Sequence, residues 1–502
     1  MKVKNLLLLA VWLGAQLLAG FSPVQAFPET QRGPEASPLA PLGFSVTIHP
    51  DNGIYTGDQV SLVINYDPSL GAMDAARNLS GHPIAVSVDA PNGPDLGSAQ
   101  FGPGPDPGSY SATLQWVWDT SRTSSGQHSL TFELPDEKLS WVEWIDLLPR
   151  SQLPPQQRDS RWAVAQSACC TIHYLTGTDA ARDIDKIKEI ADTAAQSVAR
   201  ELGTQQKESI QITLLPRVLG QGGFTSSEIE VSYLDRDYAG STLQIILHHE
   251  MVHWFDQRMG GDLRPDLFVE GLATYLTGGH FKPEPFVLET AAVLHSGWYI
   301  PLSQLADHFY DSQHELSYLE AASLISYMVD TWGWSAFNAF YRDIHPIRGQ
   351  GQAAAINAAL KSHFGISLDD LDNRFTAFLA GMSYPAVLAE DASLTIRYYE
   401  TVRAYQKVLD PSAYFRQVWL PNPAEMRKRG ITADLLRHPD SPTNLEIEGQ
   451  LVLVDRNLRQ GSYDRAEKAL TEARQMLFQA RERYGLAFQN DPILVASTNP
   501  LR

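Results

Sequence analysis

Early in the chain, apolar residues alternate with polar or small ones in five short runs: Phe44, Val46 and Ile48; Val60, Leu62, Ile64 and Tyr66; Ile84, Val86 and Val88; Tyr110, Ala112, Leu114, Trp116 and Trp118; and Leu130, Phe132 and Leu134. A period of two puts successive side chains on opposite faces of a strand, so each run predicts a strand with one buried face. Turn sequences such as Asp51-Asn52-Gly53 and Gly102-Pro103-Gly104-Pro105 separate the runs. Short strands at this spacing predict two packed sheets over residues 43–136, a β-sandwich of immunoglobulin-like general form. Trp116 and Trp118 fall in step with the inward positions and read as core rather than as a ligand platform. The stretches 27–42 and 137–166, the latter with Pro149, Pro154 and Pro155, read as linkers.

Beyond residue 166 the pattern mixes two periods. A strand is expected near Cys170 to Tyr174, then a helix from Ala180 to Leu202 with Ile184, Ile187, Ala191, Ala194, Val198 and Leu202 on one face and Gly203 as its stop. Strands follow at Ile210 to Leu215 and around Ile229, Val231 and Tyr233. Ser241 to Met259 returns to helical spacing through Leu243, Ile246, Leu247, Met251, Trp254 and Phe255, with Ser241 and Gln244 forming a capping box. Past Glu270 the chain is mostly helical, with apolar runs at Leu316 to Trp332, Ala336 to Tyr341 and Leu368 to Met382. Residues 386–502 predict further helices, and Gln460 to Ala466 has the look of the turn in a tetratricopeptide-type hairpin; a single such unit predicts a hairpin and not a solenoid. The fold class is therefore multidomain α+β: a β-sandwich, a central α+β domain over 167–385 and a C-terminal helical region.

Inside the Ser241 to Met259 helix, His249-Glu250-Met251-Val252-His253 spells H-E-x-x-H. Residues four apart project from one helix face a turn apart, so the two imidazoles can converge on one metal ion, with Glu250 placed to move protons at its open side. The motif fixes only three positions, and its context adds the weight: it lies on an expected helix, and Glu270 opens a second helix-like run, Phe268 to Tyr275, downstream. Two histidines, one glutamate and a water make one of the known catalytic zinc sets.

These motifs, with Glu270-Gly271-Leu272-Ala273 and a later Tyr318-Leu319-Glu320-Ala321-Ala322 helix start, resemble the peptidase MA-like (gluzincin) metallopeptidases, the group of thermolysin and the zinc aminopeptidases. The order of strand, helix, strand, strand and metal helix extends the resemblance over about Cys169 to Met382. The resemblance implies zinc as cofactor, His249, His253 and Glu270 as its ligands, Glu250 as base, and Tyr318 as the hydroxyl that steadies the oxyanion. It also implies that Gly223 to Thr225 lie beside the cleft, along an extended peptide. Two departures stand out: a short gap between His253 and Glu270, and Thr274 where thermolysin-like enzymes place an aspartate behind a histidine ligand.

Composition narrows the setting. The length of 502 residues predicts about three domains, and 43% hydrophobic content is that of a globular chain. Lys2 and Lys4, an apolar run from Leu6 to Ala19, and Val24-Gln25-Ala26 form a secretory signal with expected cleavage after Ala26, and the alternative is an uncleaved anchor. Cleavage would move the formal charge from −19 to −21, 37 basic against 58 acidic residues, which argues against a nucleic-acid partner. The only cysteines are Cys169 and Cys170, which on a strand would face opposite ways and pair only with strain, so no structural disulfide framework is expected. The reading is an exported zinc metallopeptidase acting on peptide or protein substrates, whose sandwich could dock to a cell surface. The alternatives are a surface binding protein with an inactive metallopeptidase-like scaffold, and a zinc hydrolase of another amide or ester. An intact set of two His and two Glu favours the enzyme, since a scaffold has no need of all four.

Overall fold

The structure is a computed structural model that describes residues 43–68, 78–104, 108–220, 222–234, 236–414 and 422–483. The expected signal and the 27–42 linker lie outside these residues. The alternating runs form strands β1 (Phe44–His49), β3 (Gln59–Tyr66), β4 (Pro83–Val88), β7 (Tyr110–Asp119) and β8 (Gly126–Leu134); β2 (Ile54–Tyr55), β5 (Asp95–Gln100) and β6 (Gly102–Pro103) fill in between them. They make two sheets, one ordered β1-β3-β7-β6 and the other containing β8, β4 and β5. Leu62, Ile64, Leu114 and Trp118 of the first share a core with Ile84, Val86, Leu130 and Phe132 of the second.

The expected linker over 137–166 is corrected in two places. Leu139–Leu148 is a strand, β9, paired antiparallel along the whole of β8 and bordering β2 on its other side. Its alternation is hidden because Glu143 takes an inward position while Trp144, 59% exposed, takes an outward one. After a short helix, α1 (Pro155–Asp159), Trp162–Gln166 forms β10, which belongs to the next sheet. Trp116 is buried, but not in the sandwich core. The pairing of β3 with β7 shifts register between Val60 and Leu62, where the Trp116 amide donates to Ser61 Oγ at 2.7 Å. This bulge turns the indole outward into a cluster with Leu175, Leu215, Met426, Ile431 and Leu435, between the sandwich and the rest of the chain.

The second sheet is ordered β10-β11-β12-β14-β13, with β11 (Cys170–Leu175), β12 (Ile210–Leu215) and β14 (Ile229–Ser232) parallel and β13 (Gly223–Thr225) antiparallel at the edge. The long helix expected after β11 breaks at Asp183 into α2 (Asp179–Arg182) and α3 (Ile184–Glu201); the Asp183 carboxylate is held there by Arg182 and by the Tyr233 hydroxyl at 2.9 Å. Contrary to expectation, Cys169 and Cys170 are joined as a vicinal disulfide. Only Cys170 lies on the strand. Cys169 sits in the preceding bend, where Asp192 accepts from its amide at 2.8 Å and from the Ser167 hydroxyl at 2.7 Å, so the two sulfurs need not face apart.

Helices then build the second lobe: α4 (Leu243–Met259), α5 (Asp266–Thr277), α6 (Phe286–His295), α7 (Leu302–His308), α8 (His314–Trp332), α9 (Trp334–Arg342), α10 (Gln352–Phe364) and α11 (Leu368–Ala380). One continuous core runs from the β11, β12 and β14 face through α4 and α5 to α11. The C-terminal region contains α12 (Val387–Leu409), α13 (Pro423–Arg429), α14 (Ala433–Leu436) and a hairpin of α15 (Pro442–Arg459) and α16 (Tyr463–Arg483) that packs on α12. Among the described residues no helix is long and apolar enough to cross a membrane.

Candidate metal centre and cleft

The cap of helix α4 lies one residue past the expected one. Thr242 is the N-cap, and Ser241 instead donates its hydroxyl to the Phe281 carbonyl at 2.7 Å. The middle of α4 is buried on all sides, from Ile246 through Asp256 apart from His248, because the sheet covers one flank and α5 another. Four of the buried residues are polar: His249, Glu250, His253 and Asp256. Polar groups in such a position need partners. Asp256 has them in Arg264, Tyr341, whose hydroxyl donates at 2.9 Å, and Arg342, a cluster that fixes the C-terminal end of α4.

Helix α5 brings Glu270 to the two histidines. Its Oε2 lies 3.3 Å from Nε2 of His249 and 3.3 Å from Nε2 of His253, and the three donor atoms all fall within 4.8 Å of one another. Zinc bonds of about 2.0–2.2 Å in a tetrahedron set neighbouring ligand atoms about 3.4 Å apart, so the spacing and the N, N, O donor set both fit zinc. The charges agree with this. Burial alone would raise the Glu270 pKa, but His253 and His249 hold it well below the usual carboxylate range. Burial would likewise lower His253, and the Glu270 carboxylate, then Glu250 and Asp256, push it up to about 9. The pocket favours positive charge where the donor atoms meet.

The glycine that follows Glu270 is set by packing. A Cβ there would stand 2.9 Å from the Ala321 carbonyl oxygen, so only glycine lets α5 lie this close to α8. Helix α8 carries Tyr318, whose ring stacks on His280 at 3.8 Å and 3° and stands 6.2 Å from the His249 ring. Tyr318 is only 7% exposed, yet it lines the cleft; burial and the carboxylates of Glu270 and Glu250 push its hydroxyl well above the phenol range.

The cleft is a cavity of about 380 Å³ that contains His249, Glu250, His253, Glu270 and Tyr318 together. Its far wall is β13. Gly223, Phe224 and Thr225 line it, and Thr225 donates to Glu250 Oε2 at 2.6 Å. Sequence reading missed this hydroxyl, and also Tyr310, which donates to Glu270 Oε1 at 2.6 Å, and His280 and His314, which flank Tyr318. All four lie on loops, strand edges or helix starts, where no periodicity marks them. Among the described residues, His249 Nδ1 and Thr274 Oγ1, the latter at the position of the expected aspartate, are both buried without a hydrogen-bond partner.

No family model matches the chain, and no curated protein matches it either. Among solved structures it is similar to the M1 zinc metallopeptidase from Deinococcus radiodurans, at 12% identity over 71% of this chain and 96% of that one, with a TM-score of 0.29. A glutamate-to-alanine mutant of that enzyme gives the same identity and coverage with a TM-score of 0.27. A two-domain M1 zinc metallopeptidase mutant bound to L-arginine gives 0.26, again at 12% identity with 71% and 96% coverage. Overlap this slight assigns the chain to no family.

Proposed function

We propose that this chain is an exported zinc metallopeptidase that hydrolyses peptide bonds, with His249, His253 and Glu270 as metal ligands and Glu250 as general base. The observation that carries the reading is the convergence of three buried donor atoms at ligand spacing, with a second carboxylate, Glu250, opening into the same cavity. Zinc held there would supply Lewis-acid polarisation of a carbonyl oxygen and acidify a water.

The chain's own residues do the rest. Thr225 holds Glu250 Oε2, which leaves Oε1 to take a proton from the attacking water and return it to the leaving amine. Tyr310 occupies Glu270 Oε1 and so turns Oε2 toward the histidines. Tyr318, its ring fixed by His280, offers a hydroxyl to the developing oxyanion. Strand β13 lies at the edge of its sheet and along the cavity, so a peptide in extended form can pair with it while its side chains meet Phe224, Ile246 and Val269. The leader-like N-terminus supports export, and the strongly acidic chain disfavours a nucleic-acid partner. Metal analysis of the purified chain together with cleavage of a mixed peptide library tests the reading. About one zinc per chain and hydrolysis abolished by chelation are expected; a chain that takes up zinc and cleaves nothing in the library would sink it.

A further inference from the structure

Helix α12 lies outside the central domain as the sequence divides it, yet side chains from one stripe of this helix reach three separate walls of the cleft. Gln406 donates from Nε2 to the Gly220 carbonyl at 2.8 Å, and the Gly220 amide donates to the Ala413 carbonyl, just past the helix, at 2.7 Å. Gly220 is buried, has a φ of +60° that suits glycine, and lines the cavity three residues before β13. Both of its backbone polar groups are thus taken by the C-terminal region. One turn earlier, Arg403 grips Glu315 with both arms of its guanidinium, at 2.7 and 3.0 Å. Glu315 sits in the first turn of α8, next to His314 and three residues before Tyr318. One turn earlier again, the Tyr399 ring stacks on Phe281 at 3.7 Å, and further along the same stripe Asp391 accepts from Lys282 at 2.8 Å. Phe281 and His280 form the third wall.

We propose that α12 is the platform on which the cleft is assembled, with Gln406 and Arg403 as positioning residues for the strand-side wall and for the wall that carries Tyr318. The proposal rests on the peptidase reading for its kinetic consequences and on contacts alone for its structural ones. Walls set by independent loops could drift independently, whereas walls keyed to one rigid helix keep their mutual spacing. The bidentate pair fixes orientation as well as distance, and a lysine at 403 could not reproduce it. A displacement of about 1 Å at a catalytic group is enough to cost about 10²-fold in rate.

The deciding variant is the double substitution Arg403→Met with Glu315→Leu. Replacing both partners of a buried pair by apolar groups commonly preserves stability, so this protein is expected to fold even if Arg403→Met alone does not. Its kcat on a short peptide should fall about tenfold or more with KM little changed, and amide exchange should accelerate across residues 313–318. Arg403→Lys should recover part of the loss. Gln406→Ala should instead raise KM for extended peptides about fivefold with kcat little changed, and should speed exchange at residues 219–225. Arg397→Met, which breaks the pair between α12 and Glu467 of α16, is the control and should do neither. A double variant with wild-type melting, wild-type kcat and unaltered exchange would overturn the proposal. The exchange arm reads without any substrate. Acceleration at 313–318 and 219–225 in a chain that cleaves no peptide would support the platform while refuting the peptidase reading, and unchanged exchange would refute the platform whatever the activity.

Discussion

Gly223→Ala tests how closely the cleft wall and the base are fitted. A Cβ at residue 223 would stand 2.7 Å from Glu250 Oε1 and 2.7 Å from Ile246 Cγ2, against an ordinary contact distance of 3.4 Å, a deficit of about 0.7 Å on each side. The backbone itself is not strained, since Gly223 is not among the positive-φ glycines. Relief must therefore come from Glu250 moving or from β13 lifting off α4. Ile246 is 6% exposed and packed in the core, so the carboxylate is the part that yields. Thr225 stands two residues along the same strand with its hydroxyl 2.6 Å from Glu250 Oε2, and a lifted strand would take that contact with it.

Either response displaces the proposed base by a sizeable fraction of an ångström, which should cost about 10-fold to 10²-fold in kcat. Overpacking should cost about 1–3 kcal/mol, a melting shift of a few degrees, and the proposed metal ligands, none of which is among the three nearest neighbours of the new methyl, should keep their zinc. The assay is a fluorogenic peptide at saturating concentration, run with metal analysis and a melt on the same preparation. Gly449→Ala, a helical site with nothing within 4 Å, is the control, and it should raise stability slightly and leave kcat alone. Wild-type kcat in Gly223→Ala would show that Glu250 is not held between Gly223 and Thr225 during turnover, and the proposed role of Oε1 as the proton acceptor would fall with it.

Other expectations follow from the same geometry. His253→Ala should remove most of the zinc, and equal metal content in the two proteins would disprove the site as drawn. Glu250→Gln should keep zinc and fold while losing about 10²-fold or more in kcat; loss of metal would make the carboxylate a ligand instead. Tyr318→Phe, which keeps the stack on His280, should lower kcat about 10²-fold with KM, zinc and melting unchanged, whereas an unaltered kcat would leave the ring a purely structural neighbour of His280. Glu230 gives a pH signature. Burial and then Glu228 raise its pKa from 4.5 to about 8, so the folded chain binds the extra proton, and this contribution to stability is full below 4.5 and lost as pH rises through 8. Glu230→Gln should therefore raise the melting temperature at pH 8.5 and leave it nearly unchanged near pH 4.5, and an equal shift at both would refute the titration.

The parts of this structure that were legible from sequence are those with a period or a fixed spacing. Strands β1, β3, β4, β7 and β8 showed in their alternation, though not the bulge that turns Trp116 out of β7's inward row, and the three-and-four spacing located α4, α8 and α11. H-E-x-x-H gave two donor atoms directly, because a helix fixes the relation of residues four apart. What failed did so where tertiary structure overrides local pattern. Glu143 sits inward and Trp144 outward on β9, so a ten-residue strand reads as irregular chain. Asp183 interrupts a continuous apolar stripe at the point where its carboxylate accepts from Tyr233, fifty residues away. The vicinal cysteines pair because one of them lies before the strand and not on it. Of the groups that complete the cleft, Thr225 was expected beside it only through the resemblance, and only the folded chain places His280, Tyr310 and His314 around the same cavity.

The same long-range logic bears on what the sandwich is for. Arg217 is 1% exposed and sits three residues before Gly220. Its guanidinium donates to the Asp434 carbonyl at 3.0 Å, reaches Asp410 at 3.3 Å, also donates to Ser412, and lies 3.6 Å from Asp51 of the sandwich. Asp51 in turn accepts from Ser412 at 2.5 Å, and Trp116 of the sandwich donates to Asp434 at 2.7 Å. Burying charge is expensive, and a pair of this kind is often no more stable than well-packed apolar residues would be; what it adds is specificity, because a misplaced partner leaves an uncompensated buried ion. The sandwich, the central lobe and the C-terminal helices are thus tied together at one buried cluster of charged and polar groups. A domain that merely tethers an enzyme to a surface needs no such lock. Here the residue that holds the sandwich, Arg217, is also the one that leads into the cleft wall at Gly220, so the cleft is held at a set angle to the sandwich.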